Sequence, residues 1–352
     1  MRAYFHDLLA YAVMQGTDLP IPGLSPNGPV RPALGALGPM LLVLTVGKEL
    51  IPHQNRYING DRGNFHHTPT QGGGLLAGAL LVVLIVCADL WQSASLLAVF
   101  CVAGFGGLGI LRDRRHIAEF PNPYFRKLPA WFHPACLFSL AVLFGLLVRL
   151  QDGPADHPLS WWGATCAIML PTLMICGASC AVTISDGFEG LAAGIAAIVA
   201  ISLSVLSVLT GDATTAAALH MTYVPAGNQW ALVTAATGGA CVGILGLGGR
   251  RTQIYMGRAG SLAVGGILGL AATAIHQECV ALLVGGILVA ELALVLLQIT
   301  VFRITGGVRV FLCCPPHVHF RVNGWSESQV VHRYWIVSLL LAVCALVWAT
   351  LR

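Results

Sequence analysis

Ten long apolar runs, separated by short polar stretches, dominate this chain. They lie at about 33–51, 73–91, 94–111, 133–149, 160–178, 190–210, 229–247, 260–275, 279–302 and 334–351. About 20 apolar residues in a helix cross the hydrocarbon core of a bilayer. Backbone in lipid must satisfy its own hydrogen bonds, so such runs are helices unless they alternate as barrel strands do, and these do not alternate. Only 10% of the 352 residues are charged, 56% are hydrophobic and the mean hydropathy is +0.77. Soluble domains carry roughly a quarter charged residues, so too few charges are present to clothe a water-facing surface. The expected fold is therefore all-α: a polytopic membrane protein of about ten transmembrane helices, with residues 1–352 forming a single membrane domain. Neither a soluble second domain nor a tandem repeat is apparent, and no cleavable signal peptide is evident before Pro20.

Basic residues orient the bundle. Fifteen of the nineteen Lys and Arg fall in or beside alternate loops, at 52–72, 112–132, 179–189, 248–259 and 303–333. Only Arg2, Arg31, Arg149 and Arg352 fall on the other side. The positive-inside rule makes the richer loops cytoplasmic and puts both termini outside. The five loops are expected to form one site, and 303–333, the longest, to contain short helical or hairpin structure. A net charge of +4 without a basic run gives no sign of nucleic-acid binding. Most of the eleven cysteines sit inside apolar runs, where they pack as small residues, and none has zinc-site spacing.

Three polar motifs lie on the cytoplasmic side. Thr68-Pro69-Thr70-Gln71-Gly72-Gly73 stands at a span entrance. Pro69 fixes the local backbone and the glycines bare their amides, so Thr68 and Thr70 are candidates for holding an anion at a helix start. A capped helix with a glycine hinge accounts for the same residues. Asp186 and Glu189 are three apart and would share a helix face, as acid–base groups or as caps of the next helix. His317 and His319 follow two prolines. They point the same way only in extended chain, where imidazoles ligate phosphate oxygens or shuttle protons; the alternative is two loop histidines near the interface. Trp325 is expected as an interfacial anchor. Glu291 lies within a span, where a carboxylate is costly, and is expected to hydrogen-bond a neighbouring helix. Gly104–Gly109 matches G-x-G-x-x-G, but no strand–helix–strand context supports a dinucleotide fold.

In this order and on one side, the motifs make the chain resemble the phospho-N-acetylmuramoyl-pentapeptide transferase family, within the polyprenyl-phosphate N-acetylhexosamine-1-phosphate transferases. The resemblance runs from about Pro52 to Arg352 and is most specific at Thr68–Gly73, Asp186–Leu191, Met256–Gly266 and Phe311–Trp335. It implies a commonly dimeric bundle in the bacterial inner membrane, with its site facing the cytoplasm. The implied partners are a polyprenyl phosphate lipid and a UDP-linked amino sugar. The implied reaction moves phospho-MurNAc-pentapeptide from UDP to undecaprenyl phosphate with Mg²⁺, releasing UMP. Carried onto this chain, it implies catalytic roles for Asp186, His317 and His319. It implies substrate contacts at Thr68, Thr70, Glu189, Arg258 and Ser261.

The chain also departs from that pattern. Gly106 and Gly107 are expected where the family has an acidic pair, and Arg258 stands where it has a metal-binding aspartate. Glu189 replaces the second acid of Asp-Gly-x-Asp-Gly, Cys180 and Thr183 stand for two asparagines, and Val318 interrupts a triple histidine. The site's charge changes from about −3 to about +1. Asp113 or Glu119, just beyond the glycines, would restore an acid if the loop shifted. No metal-ligand set is assigned, and Arg258 is expected to clamp a diphosphate in the cation's place. The alternatives are a non-catalytic relative that binds polyprenyl phosphate or UDP-sugar as a regulatory or assembly protein, and a carrier of polyprenyl phosphates.

Overall fold

Helices are the only regular elements among the residues that the computed structural model describes, namely 30–58, 71–88, 91–116, 129, 131–151, 161–248 and 255–351. In chain order they are α1 (Val30–Ile58), α2 (Gln71–Cys87), α3 (Ser93–His116), α4 (Phe132–Gln151), α5 (Trp161–Ser185), α6 (Leu191–Gly211) and α7 (Ala213–Ala218). They continue with α8 (Gly227–Leu247), α9 (Gly257–Ala274), α10 (Glu278–Val284), α11 (Gly286–Ile304), α12 (Pro316–Val322) and α13 (Glu327–Leu351). Seven of these (α3, α4, α5, α6, α8, α11 and α13) are long and apolar enough to span a bilayer, and α2 is a shorter apolar helix. The chain is an all-α, multi-pass membrane protein. Large apolar side chains of α11 and α13, such as Leu296, Phe302, Leu339 and Leu340, stand exposed, as lipid-facing surfaces require.

The expected run at 279–302 is not one helix. It breaks at Gly285, whose φ of −81° and ψ of 14° end α10 before α11 begins. The loop boundaries also shift. Arg112–His116 continues α3 and residues 179–185 belong to α5, while 303–333 contains a short helix, α12, as expected.

At the centre of the bundle stands α9. Every residue from Ala259 to Ala274 is buried, as befits a helix that is apolar all round. Small residues let its neighbours come close. A β-carbon on Gly265 would stand 2.5 Å from Ser179 Cα and 2.6 Å from the Ala178 carbonyl oxygen of α5. One turn on, a β-carbon on Gly269 would stand 2.7 Å from Ile175 Cα. The two glycines are four residues apart, so they share one face of α9 and seat α5 along it. Gly239 and Gly243 do the same for α8 against α1, facing Ala36, Met40 and Val43.

Side chains at these contacts have nowhere to go, and overpacking a core costs about 1–3 kcal/mol or more. Gly265→Ala and Gly269→Ala should each lower the melting temperature in detergent. Gly78→Ala, on α2 with nothing within 4 Å of its β-carbon position, should leave it unchanged or raise it, because alanine favours helix over glycine by about 1 kcal/mol. Equal melting temperatures for all three variants would show that the α5–α9 contact does not set the packing.

Candidate functional site

The ends of three helices meet near Asp186. The first is the end of α3. A β-carbon on Gly109 would lie 2.6 Å from both the Ala259 nitrogen and the Arg258 carbonyl oxygen, so this end abuts the start of α9. The second is the turn 186–190 after α5. The third is the start of α9, where Gly257 adopts φ 65°, a left-handed conformation open to glycine. The backbone N–H groups of Met256 and Gly257 donate to the Asp186 carboxylate. Gly73 of the first polar motif packs against the Met256 carbonyl and Gly260, which brings the start of α2 to the same corner. Thr68, Thr70 and Glu119 lie outside the described residues.

Asp186 is not on a helix with Glu189, and neither acid caps α6. Residues 186–190 form a turn, and the cap of α6 is Gly190, at φ 77° without a side-chain hydrogen bond. The turn is fastened from beneath. Trp335 of α13 donates from Nε1 to the Gly190 carbonyl at 3.2 Å, and Phe188 is buried edge-on to His317 with ring centroids 5.0 Å apart. Glu189 instead approaches Gly248, and Tyr255 stands within electrostatic reach of Glu189, Asp186, Glu327 and Arg321. Burial, reinforced by those acids, raises the Tyr255 phenol.

The acid that α3 contributes is Asp113, not a residue at the glycine positions. Gly106 faces Ala77 and Ala263 in helix contacts, and Gly107 has nothing within 4 Å of its β-carbon position. Nearly two turns further along, Asp113 is buried (6% exposed) and its charge acts on Asp186. Arg112 lies within Coulomb range of both Arg258 and Asp113. The corner therefore holds two carboxylates and two guanidiniums. Burial pushes the Asp186 carboxyl up to about 7; the Met256 and Gly257 amides oppose that shift and the Asp113 charge reinforces it.

Two further expectations change. Ser261 is fully buried, with its hydroxyl 3.2 Å from Thr183 Oγ1 and 3.4 Å from the Arg258 carbonyl, so it ties α9 to α5 and does not face an open site. His317 and His319 lie on helix α12, whose Pro316 occupies a first-turn position, and residues two apart on a helix diverge. His317 points inward at 1% exposure. There Glu291 Oε2 hydrogen-bonds its Nδ1 at 2.8 Å, and Oε1 accepts from its backbone N–H at 3.2 Å and from the Tyr334 hydroxyl at 2.9 Å. His319 Nε2 instead meets Asn323 Nδ2 at 3.0 Å. Trp325 stacks on Phe320 at 4.8 Å, and the Arg333 guanidinium sits 3.9 Å over its ring. Glu291, Phe320, Trp325, Arg333 and Tyr334 also line an apolar cavity of about 450 Å³ between α11, α12 and α13.

Known proteins share this framework. Over 298 residues the chain is 34% identical to a phospho-N-acetylmuramoyl-pentapeptide-transferase of Thermodesulfovibrio yellowstonii, with 81% of each chain covered. It is 34% identical over 295 residues to one of Desulfotalea psychrophila (81% of this chain, 80% of the relative). It is 32% identical over 290 residues to one of Rickettsia africae (81% and 80%). This chain belongs to the phospho-N-acetylmuramoyl-pentapeptide transferase family. Residues 95–276 also match the family described as Glycosyl transferase family 4. That stretch carries Asp113, the Asp186 turn and the start of α9.

The resemblance implies a magnesium ion for a transferase of this family, and the donor set here does not fit one. Among the described residues, no three His, Cys, Asp or Glu side chains gather as a ligand group. The Asp186 carboxylate already accepts two backbone N–H groups, and a fixed positive charge stands on Arg258 at the start of α9. Magnesium demands near-octahedral oxygen ligation around its own double charge, and two guanidiniums beside it oppose that.

The folded protein holds the Asp186 proton up to about pH 7, whereas the unfolded chain releases it at roughly pH 4. Between those values the folded state binds more protons, so this group's contribution to stability is complete below the window and is lost as pH rises through it. Asp186→Asn removes the dependence. Its melting-temperature gain over the parent protein in detergent should be larger at pH 8 than at pH 5. A gain equal at both pH values would contradict an acid held protonated by burial.

Proposed function

We propose that this protein works at the cytoplasmic face of a bacterial inner membrane. There it transfers phospho-MurNAc-pentapeptide from a UDP carrier to a polyprenyl phosphate, with guanidinium groups in place of a metal ion. The observation that carries the reading is the Asp186 corner, where a half-buried carboxyl that accepts the Met256 and Gly257 amides stands beside Asp113, Arg112 and Arg258, and desolvation raises its pKa toward neutrality. A general base is most effective when its pKa lies near the working pH. In the proposed step, Asp186 takes the remaining proton of the lipid phosphate. A lipid phosphate oxygen bonds to the phosphorus that carries the sugar. The P–O bond between the two phosphorus atoms of the donor breaks, and its electron pair leaves with UMP. Arg258 and Arg112 bind the diphosphate oxygens and balance the charge that gathers on the leaving phosphate, a role that suits the planar fork of arginine. The apolar cavity beside Arg333 supports the lipid side of the reading, because an isoprenoid chain matches its lining.

A second reading, a non-catalytic relative that binds the UDP-sugar or the lipid phosphate, is favoured by one observation: an arginine, Arg258, stands where the resemblance implies a metal-binding aspartate. UMP release from UDP-MurNAc-pentapeptide and undecaprenyl phosphate in detergent separates the two. The transferase reading expects release to persist in EDTA. It expects Asp186→Asn to lower kcat by about 100-fold, the usual loss for a general base. Arg258→Ala should weaken UDP-sugar binding by about tenfold or more in EDTA, as loss of a charge-assisted contact does. Strict dependence of the parent protein on Mg²⁺ would overturn the metal-free mechanism. UDP-sugar binding without UMP release, under all conditions, would favour the second reading.

A further inference from the structure

Glu291 lies inside the membrane bundle, 2% exposed, in a helix where an ionisable side chain is costly. Its two oxygens make three hydrogen bonds, two with His317 and one with the Tyr334 hydroxyl. With Glu291 as the acceptor, the hydrogen of the imidazole lies on Nδ1. The other ring nitrogen, Nε2, faces the turn that follows α5. It abuts Gly187, the residue after Asp186, so closely that any β-carbon there would collide with it. The chain of contacts thus runs unbroken from a buried carboxylate, through an oriented imidazole, to the backbone of the turn that carries Asp186. Phe188, on the same turn, closes against the edge of the same ring.

We propose that Glu291 is a positioning residue of the site. By fixing the orientation and tautomer of His317, it sets the place of the Asp186–Gly190 turn against the start of α9. The network contacts neither Arg112 nor Arg258 in any hydrogen bond, so it governs where the base stands and not how the diphosphate is held. The kinetic part of this inference rests on the transfer proposed above; the geometric part does not.

Two variants test it. Glu291→Gln keeps the shape of the side chain but offers two hydrogens where three donors converge, and Gly187→Ala pushes the ring away while leaving Glu291 intact. In UMP release, both should lower kcat about 10- to 100-fold, the usual loss when the partner that orients a histidine is removed, with the KM for the UDP-sugar within about twofold. A purely structural role would lower the folded fraction and leave kcat per folded molecule unchanged. The second readout needs no turnover. In protein carrying ¹³C-labelled aspartate and ¹⁵N-labelled histidine, the His317 ring signals should change in Glu291→Gln, and the titration of the Asp186 carboxyl carbon should shift in both variants. His317 is assigned from His317→Gln and Asp186 from Asp186→Asn. If the parent protein releases no UMP, the transfer proposal fails and the spectra alone decide the positioning role. Should both variants keep the parental Asp186 titration and, where turnover exists, the parental kcat, Glu291 does not position the turn.

Discussion

Much in this molecule depends on how closely α9 approaches α5. Gly265 and Gly269 leave no room for even one carbon between the two helices. That contact places the end of α5 beside the start of α9, and so places Asp186 against the amides of Met256 and Gly257. Hydrophobic attraction does not drive helices together in lipid as it does in water, so the fit of small residues must supply the contact. A helix as apolar and as small-sided as α9 suits the centre of a bundle, and polar groups gather where it ends.

Asp186 illustrates how such a site obtains chemistry from few charges. Four ionisable side chains from three helix ends share one enclosed corner, two acidic and two basic. In low dielectric their mutual influence is stronger than it would be in water. The half-buried carboxyl takes up a proton more readily, while two N–H groups keep it oriented. The family relationship, at 32–34% identity over 81% of the chain, accounts for the framework. Arg258 puts a fixed positive charge at the start of α9, beside the helix end that carries Arg112 and Asp113.

Much of the fold is legible in the sequence alone. Apolar runs, glycine content and the distribution of arginines point to a multi-pass helical bundle because lipid permits little else. Nine of the expected runs are single helices, and the tenth is interrupted at the Gly285-Gly286 pair, where hydropathy cannot reveal a one-residue break. The site is legible in part. Local pattern singles out Asp186, Glu189 and His317, and the cost of a carboxylate in a membrane singles out Glu291. Asp113 enters the sequence reading only as a substitute that a loop shift would bring in. It sits instead on an uninterrupted helix, more than a turn beyond Gly106 and Gly107. Ser261 follows a motif and so reads as a substrate contact, yet the helix rotates it into the α5 interface.

The sequence by itself determined that this chain is a helical membrane protein with polar motifs at loop ends, because the period and length of apolar runs are properties of a single chain. It also marked the arginine at position 258, since residue identity needs no coordinates. Only the tertiary structure decided that Asp113 and Asp186 share a corner, that His317 turns away from His319 toward Glu291, and that Gly187 admits the imidazole to the turn that carries Asp186. Those facts join residues far apart in the chain. The direction of each side chain depends on helix rotation and on what its neighbours leave empty, which no local pattern encodes.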